Sequence, residues 1–75
     1  MDVEVGKIYR HFKGDLYLVE GIAKDSETTE DTVVYRALYG DCGLWVRPLA
    51  MFTEEVQGKS QAHRFERVDV PSERK

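Results

Sequence analysis

Cysteine, histidine and proline are scarce in this chain of 75 residues, which has one Cys, two His and two Pro. A lone Cys42 cannot close an internal disulfide, and neither Cys nor His recurs at the spacing of zinc ligands. The fold must therefore hold without covalent staples or a structural metal, and Cys42 reads as a surface thiol at a hairpin tip. No apolar run approaches the roughly 18–20 residues of a membrane-spanning helix. Met1 leads into Asp2, Val3 and Glu4 instead of a basic and then apolar leader, so a cytoplasmic chain with no membrane role is expected. An excess of positive charge is also missing. The formal net charge is −3, which argues against nonspecific wrapping of a polyanion, because such binding grows with the number of phosphates neutralised by Lys and Arg. There is no internal repeat, no low-complexity segment, no amphipathic helix of useful length, and no catalytic or cofactor motif; no cofactor is implied.

What is present has the composition of a folded domain, 41% hydrophobic and 33% charged. At this length it is one domain burying only about 60% of the surface its unfolded chain exposes. The charge is uneven. Residues 1–31 carry eight acids against four bases, while residues 32–53 carry Asp41 against Arg36 and Arg47.

The organising stretch runs from Thr32 to Phe52. Val33–Tyr39 is β-branched and aromatic, Leu44–Arg47 continues the pattern, Pro48 stops it, and Gly40, Asp41, Cys42 and Gly43 supply a turn between the arms. A four-residue tip would oppose Tyr39 to Leu44, Leu38 to Trp45, Ala37 to Val46 and Arg36 to Arg47. Alternation then turns Val33, Tyr35, Ala37, Tyr39, Leu44 and Val46 to the core, and Val34, Arg36, Leu38, Trp45 and Arg47 away from it. Two guanidinium groups opposed beside an indole destabilise a sheet unless something negative lies between them. Either a carboxylate of this chain (Glu20, Glu27, Glu30 or Asp31) or an anionic partner must supply that charge.

The remaining elements are short. Residues 1–5 form an acidic lead-in. Lys7–Phe12 reads as a first strand whose inward face alternation leaves open: the favoured phase turns Ile8 and Phe12 inward, with Arg10 near an edge, and Tyr9 and His11 outward, while the opposite phase buries Tyr9 instead. Leu16–Lys24 reads as a second, with a bulge or bend at Gly21. Asp25–Asp31 is an acidic loop that Ser26, Thr28 and Thr29 can order. Pro48–Met51 suits one tight 3-10 turn, with Leu49 and Phe52 sealing the end of the core. Thr53–Gln57 and Arg64–Val68 read as closing strands, with Phe65 as their main core residue, and residues 69–75 as a solvated tail. This is an all-β chain, best arranged as a small SH3-like barrel of about five strands over residues 6–68.

The residues Gly6 to Gly14, Ser26, Glu27, Thr28, and above all Val34–Asp41 and Gly43–Leu49, give the chain a specific likeness. It resembles the short bacterial proteins grouped as domain of unknown function 1653, over about residues 6–68. The resemblance implies a single SH3-like barrel in bacterial cytoplasm and carries no assigned activity. Where a histidine is expected in that family before Ser26, this chain has Asp25, which removes a metal-binding or acid–base group from the loop.

For function, Arg36, Trp45 and Arg47, with Tyr9, His11 and the loop acid Glu27 alongside, are the candidate ligand-binding residues. Paired guanidiniums grip a carboxylate or phosphate while a flat group lies on the indole. The expected partner is a protein presenting an acidic peptide, or a small anionic ligand. Single-stranded nucleic acid stacked on Tyr9 and Trp45 is the competing reading, and the acidic balance weighs against it. His11, Tyr9 and Ser26 offer the residue types of acid–base or triad chemistry. Nothing orders them relative to one another, so no enzyme is expected, and His11 with Glu27 is too sparse a set for a metal.

Overall fold

A computed structural model describes residues 2–69. Five strands form: β1 (Ile8–His11), β2 (Leu16–Lys24), β3 (Asp31–Ala37), β4 (Leu44–Pro48) and β5 (Phe65–Val68), with the helical turn α1 (Leu49–Phe52) between the last two. They make one antiparallel sheet in the order β4-β3-β2-β1-β5, so the all-β class is as expected. β4 and β5 lie at its two ends and are not hydrogen-bonded to each other. The sheet curls until side chains close the gap: the Arg47 guanidinium, on one edge, lies 5.7 Å from the centre of the Phe65 ring, on the other.

β2 runs over the residues its composition marks, and its pairing with β3 shifts between Val19 and Gly21, as the glycine suggests. The shift keeps Val19 facing inward opposite Tyr35 and leaves Glu20 on the outer face, diagonal to Arg36. Inside the curl are Tyr9, Val19, Val33, Tyr35, Ala37, Phe52 and Phe65, all buried. Phe52 and Phe65 stack with ring centres 4.0 Å apart and planes 3° from parallel. The rings of Tyr9 and Tyr35 meet that stack edge-on. Edge-to-face contacts set the electropositive rim of one ring against the π face of the next, which adds to what burial alone gives.

Several expectations are corrected. β1 has the opposite phase: Tyr9 is 1% exposed, whereas Ile8 is only partly covered on the other side of the sheet. The reason lies outside the strand. The Tyr9 hydroxyl accepts the Glu4 amide at 2.9 Å, which satisfies its polar end, and Val3 from the lead-in packs on the core. Thr53–Gln57 is not a strand. It makes one isolated bridge, Glu55 to His63, at the neck of a loop held by Val56 N–H to Ala62 O and Arg64 N–H to Glu54 O. The helical turn is Leu49–Phe52 instead of the expected Pro48–Met51, because Pro48 still belongs to β4 and stands at the N-cap; it is also α rather than 3-10, since Thr53 N–H donates to Leu49 O, four residues back. Of the tail at 69–75, only Asp69 falls within the described residues, where it pairs with Arg67 at 2.9 Å.

Candidate functional site

The tip of the β3–β4 hairpin decides which side chains share a face. Arg36 stands opposite Leu44, Tyr35 opposite Trp45, Val34 opposite Val46 and Val33 opposite Arg47. The four-residue tip is thus corrected: the connection takes residues 38–43, and the register moves by three positions. Leu38 and Tyr39 leave the ladder because β2 claims them. Leu38 N–H donates to Leu16 O, and the Tyr39 and Tyr17 hydroxyls lie 2.6 Å apart. Gly40 and Cys42, at φ 59° and 56°, then turn the chain, a conformation that costs glycine nothing and most residues something. Cys42 is exposed at this tip.

An odd shift exchanges faces. Arg36 stays on the outer face, but Trp45 and Arg47 are on the inner one, so the guanidiniums are not opposed and lie on different sides of the sheet. Tyr39, Leu44 and Val46, expected in the core, are exposed instead. Arg36 is neutralised within the chain: its Nε donates to Glu20 Oε2 at 2.8 Å and its Nη1 to the Cys42 carbonyl at 2.9 Å. Glu20 was one of the carboxylates foreseen for this task. Both partners are more than a third exposed, so the pair contributes about 1 kcal/mol or less. Arg36→Ala is accordingly expected to shift a urea unfolding curve by no more than that; a cost near 3 kcal/mol would mean a network not visible in these contacts.

Arg47 is different. Its Nε donates to the Tyr35 hydroxyl at 3.3 Å and its guanidinium faces Phe65, but among the described residues no carboxylate pairs with it. Trp45, two residues earlier on the same side, is about 7 Å away by strand geometry. It remains 55% exposed because β4 is an edge strand with nothing beyond it. A Cβ at Gly43 would lie 3.6 Å from the indole Nε1, so the glycine leaves room for the ring to lie back over the turn.

His11 reaches the same place from β1. Its ring meets Phe65 edge-on at 4.9 Å and lies tilted by 30° against Phe12 at 4.4 Å, and Nδ1 accepts the Lys13 amide, which leaves the proton of the neutral ring on Nε2. Burial, then the charges of Arg64, Arg47 and Lys13, lower its pKa below the ordinary 6.5, with Asp15 pulling the other way. Phe65 thus brings together His11 and Arg47, which the sequence had placed on one surface for other reasons. Tyr9 does not join them, being buried with its hydroxyl occupied. Glu27 lies in the β2–β3 loop, where the Asp25 carboxylate accepts the amides of Glu27 and Thr28 and is held below its usual pKa by doing so; Glu27 forms no ion pair with Arg47. Ser26 lies in that same exposed loop, apart from His11.

The sequence reading missed a basic and aromatic rim beside His11. Lys59 Nζ and the Arg64 guanidinium lie 5.3 Å and 5.7 Å from the centre of the Phe12 ring. Arg64 Nη2 is paired with Glu54 at 2.9 Å, while its Nε is enclosed without a partner. Only the direct succession Arg64–Phe65 hinted at this. Among the described residues, no three His, Cys, Asp or Glu side chains gather as a metal cluster, and no helix is long and apolar enough to cross a membrane.

Comparison with known proteins agrees with the fold. A family described as proteins of unknown function, DUF1653, matches residues 7–67. A crystal structure of a member of that family from Bordetella bronchiseptica superposes with a TM-score of 0.78 at 38% identity, covering 95% of this chain and 96% of that one. No curated protein matches. With most of its length matched by the family and by a solved member, the chain belongs to the DUF1653 family of proteins of unknown function.

Proposed function

We propose that this domain is a non-enzymatic binding module that recognises an acidic peptide or a small anionic ligand on the Trp45–Arg47 side of β4. The observation that carries the reading is Arg47. It is a half-buried guanidinium without a carboxylate among the described residues, beside an exposed indole and a histidine that its charge helps keep neutral. A carboxylate arriving there takes charge-assisted hydrogen bonds from Arg47, and a flat or aliphatic group of the ligand rests on Trp45. Arg36, already neutralised on the other face, plays no part.

Trp45 is the sole tryptophan, so its fluorescence reports on the site directly. Titration with acidic peptides is expected to change it. Arg47→Ala should weaken binding roughly tenfold to a hundredfold, as loss of a charged hydrogen bond implies, while Arg36→Ala leaves it unchanged. After burial, the charges of Arg64, Arg47 and Lys13 lower His11, and an incoming anion opposes them, so binding should draw a proton onto that ring and tighten as the pH falls through the range in which it titrates. Equal losses from both arginine variants, or a response to single-stranded oligonucleotide alone with steep salt dependence, would overturn the reading.

A further inference from the structure

The backbone of β4 says how such a peptide would lie. In an antiparallel ladder, alternate residues turn their N–H and C=O toward the neighbouring strand. Ala37 N–H donates to Gly43 O at 2.9 Å, which fixes residues 43, 45 and 47 as those facing β3. The amides and carbonyls of Leu44 and Val46, and the carbonyl of Pro48, therefore point away from the sheet at its end. Their side chains are bare as well: Leu44 is 54% and Val46 66% exposed. A row of unpaired main-chain groups flanked by uncovered apolar side chains is a template for another strand.

We propose that the free edge of β4 is a strand-addition site, at which an extended acidic segment of another protein pairs with the main chain of Leu44 and Val46. This rests on the anion-binding reading of Arg47 given above and specifies its partner. The register sets the chemistry of the guest. A carboxylate opposite Arg47 falls on the inner side, the next residue lies by Val46 on the outer side, the third covers Trp45, and the fourth lies by Leu44. The fitting segment therefore alternates acidic or flat residues with aliphatic ones, over about four positions, and ends where Pro48 has no N–H to offer. A second copy of this chain fits less well. A two-fold axis through Val46 would bring two unneutralised Arg47 side chains onto one face, with no carboxylate supplied to either. It would also set Leu44 against a Pro48 that cannot donate.

The test uses a blocked octapeptide alternating glutamate and valine, with amide hydrogen exchange of the intact protein as readout. Bound peptide is expected to slow exchange at Leu44 and Val46 at least tenfold. N-methylation of the peptide at alternate positions should abolish binding, while methylation at the intervening positions is tolerated. If the peptide perturbs Trp45 and requires Arg47, yet neither amide is protected and methylation is indifferent, strand addition is wrong and the anion reading stands. If the peptide leaves Trp45 and Arg47 unaffected, both readings fall. Protection of Leu44 and Val46 before any peptide is added, together with a dimeric sedimentation mass, would assign the edge to a second copy and overturn the proposal.

Discussion

Replacing Phe65 by alanine is expected to cost about 3–5 kcal/mol, the range for deleting a fully buried aromatic ring, and so to remove a large share of the domain's stability. A chain of this length has only about 4–11 kcal/mol to lose. The position sets the size of the effect. Phe65 is 1% exposed, stacks on Phe52, and meets Tyr17, Tyr35 and His11 edge-on at 5.5, 5.3 and 4.9 Å. No other ring could move into the space without giving up its own contacts. Phe65→Leu, which keeps most of the volume, should cost clearly less. Urea unfolding followed by circular dichroism separates the two variants, and an alanine cost near 1 kcal/mol would refute the central place given to this ring.

Tyr9 carries the second large effect. Tyr9→Ala should cost about 3–5 kcal/mol, because the ring is enclosed and packs edge-on against Phe52 at 5.6 Å. Tyr9→Phe removes only the hydrogen bond from Glu4 N–H and should cost about 0.5–1.5 kcal/mol. Ile8→Ala, on the partly open outer side, is expected to cost about 1 kcal/mol. The comparison measures the phase of β1. If Ile8→Ala proved the more damaging, β1 would face the other way.

That phase illustrates what could be read from residue order and what could not. Ile8-Tyr9-Arg10-His11-Phe12 offers a large apolar group in either phase, and the choice is made by the Glu4 amide and by the pairing of Tyr9 with Arg67, neither of which local alternation contains. The limits of β2, its irregularity at Gly21, the stop at Pro48 and the burial of Val33, Tyr35 and Ala37 were legible, because each follows from chain geometry or from alternation within one strand. The hairpin register was not. It depends on Tyr39 finding the Tyr17 hydroxyl and Leu38 finding a carbonyl of β2, contacts between residues 22 positions apart in each case.

For the candidate site the consequence was mixed. Glu20 is among the carboxylates that the sequence offers to the arginines and does hold Arg36, whereas the expected face shared by both guanidiniums does not form, because the tip is longer than four residues. Trp45 and Arg47 stayed together because they are two apart on one strand, a relation no register can break. The Phe12, Lys59 and Arg64 rim was invisible for the reason Phe65 is central: it forms only when the end of the chain returns to β1.

That return has a bearing on biosynthesis. Ile8 pairs with Val68 and His11 with Phe65, so β1, made before the other four strands, keeps one side bare until β5 is made. During that interval Phe52 has no ring to stack on. Until residues 65–68 emerge, the meander of β1 to β4 has neither the partner strand of β1 nor the ring that closes on Phe52.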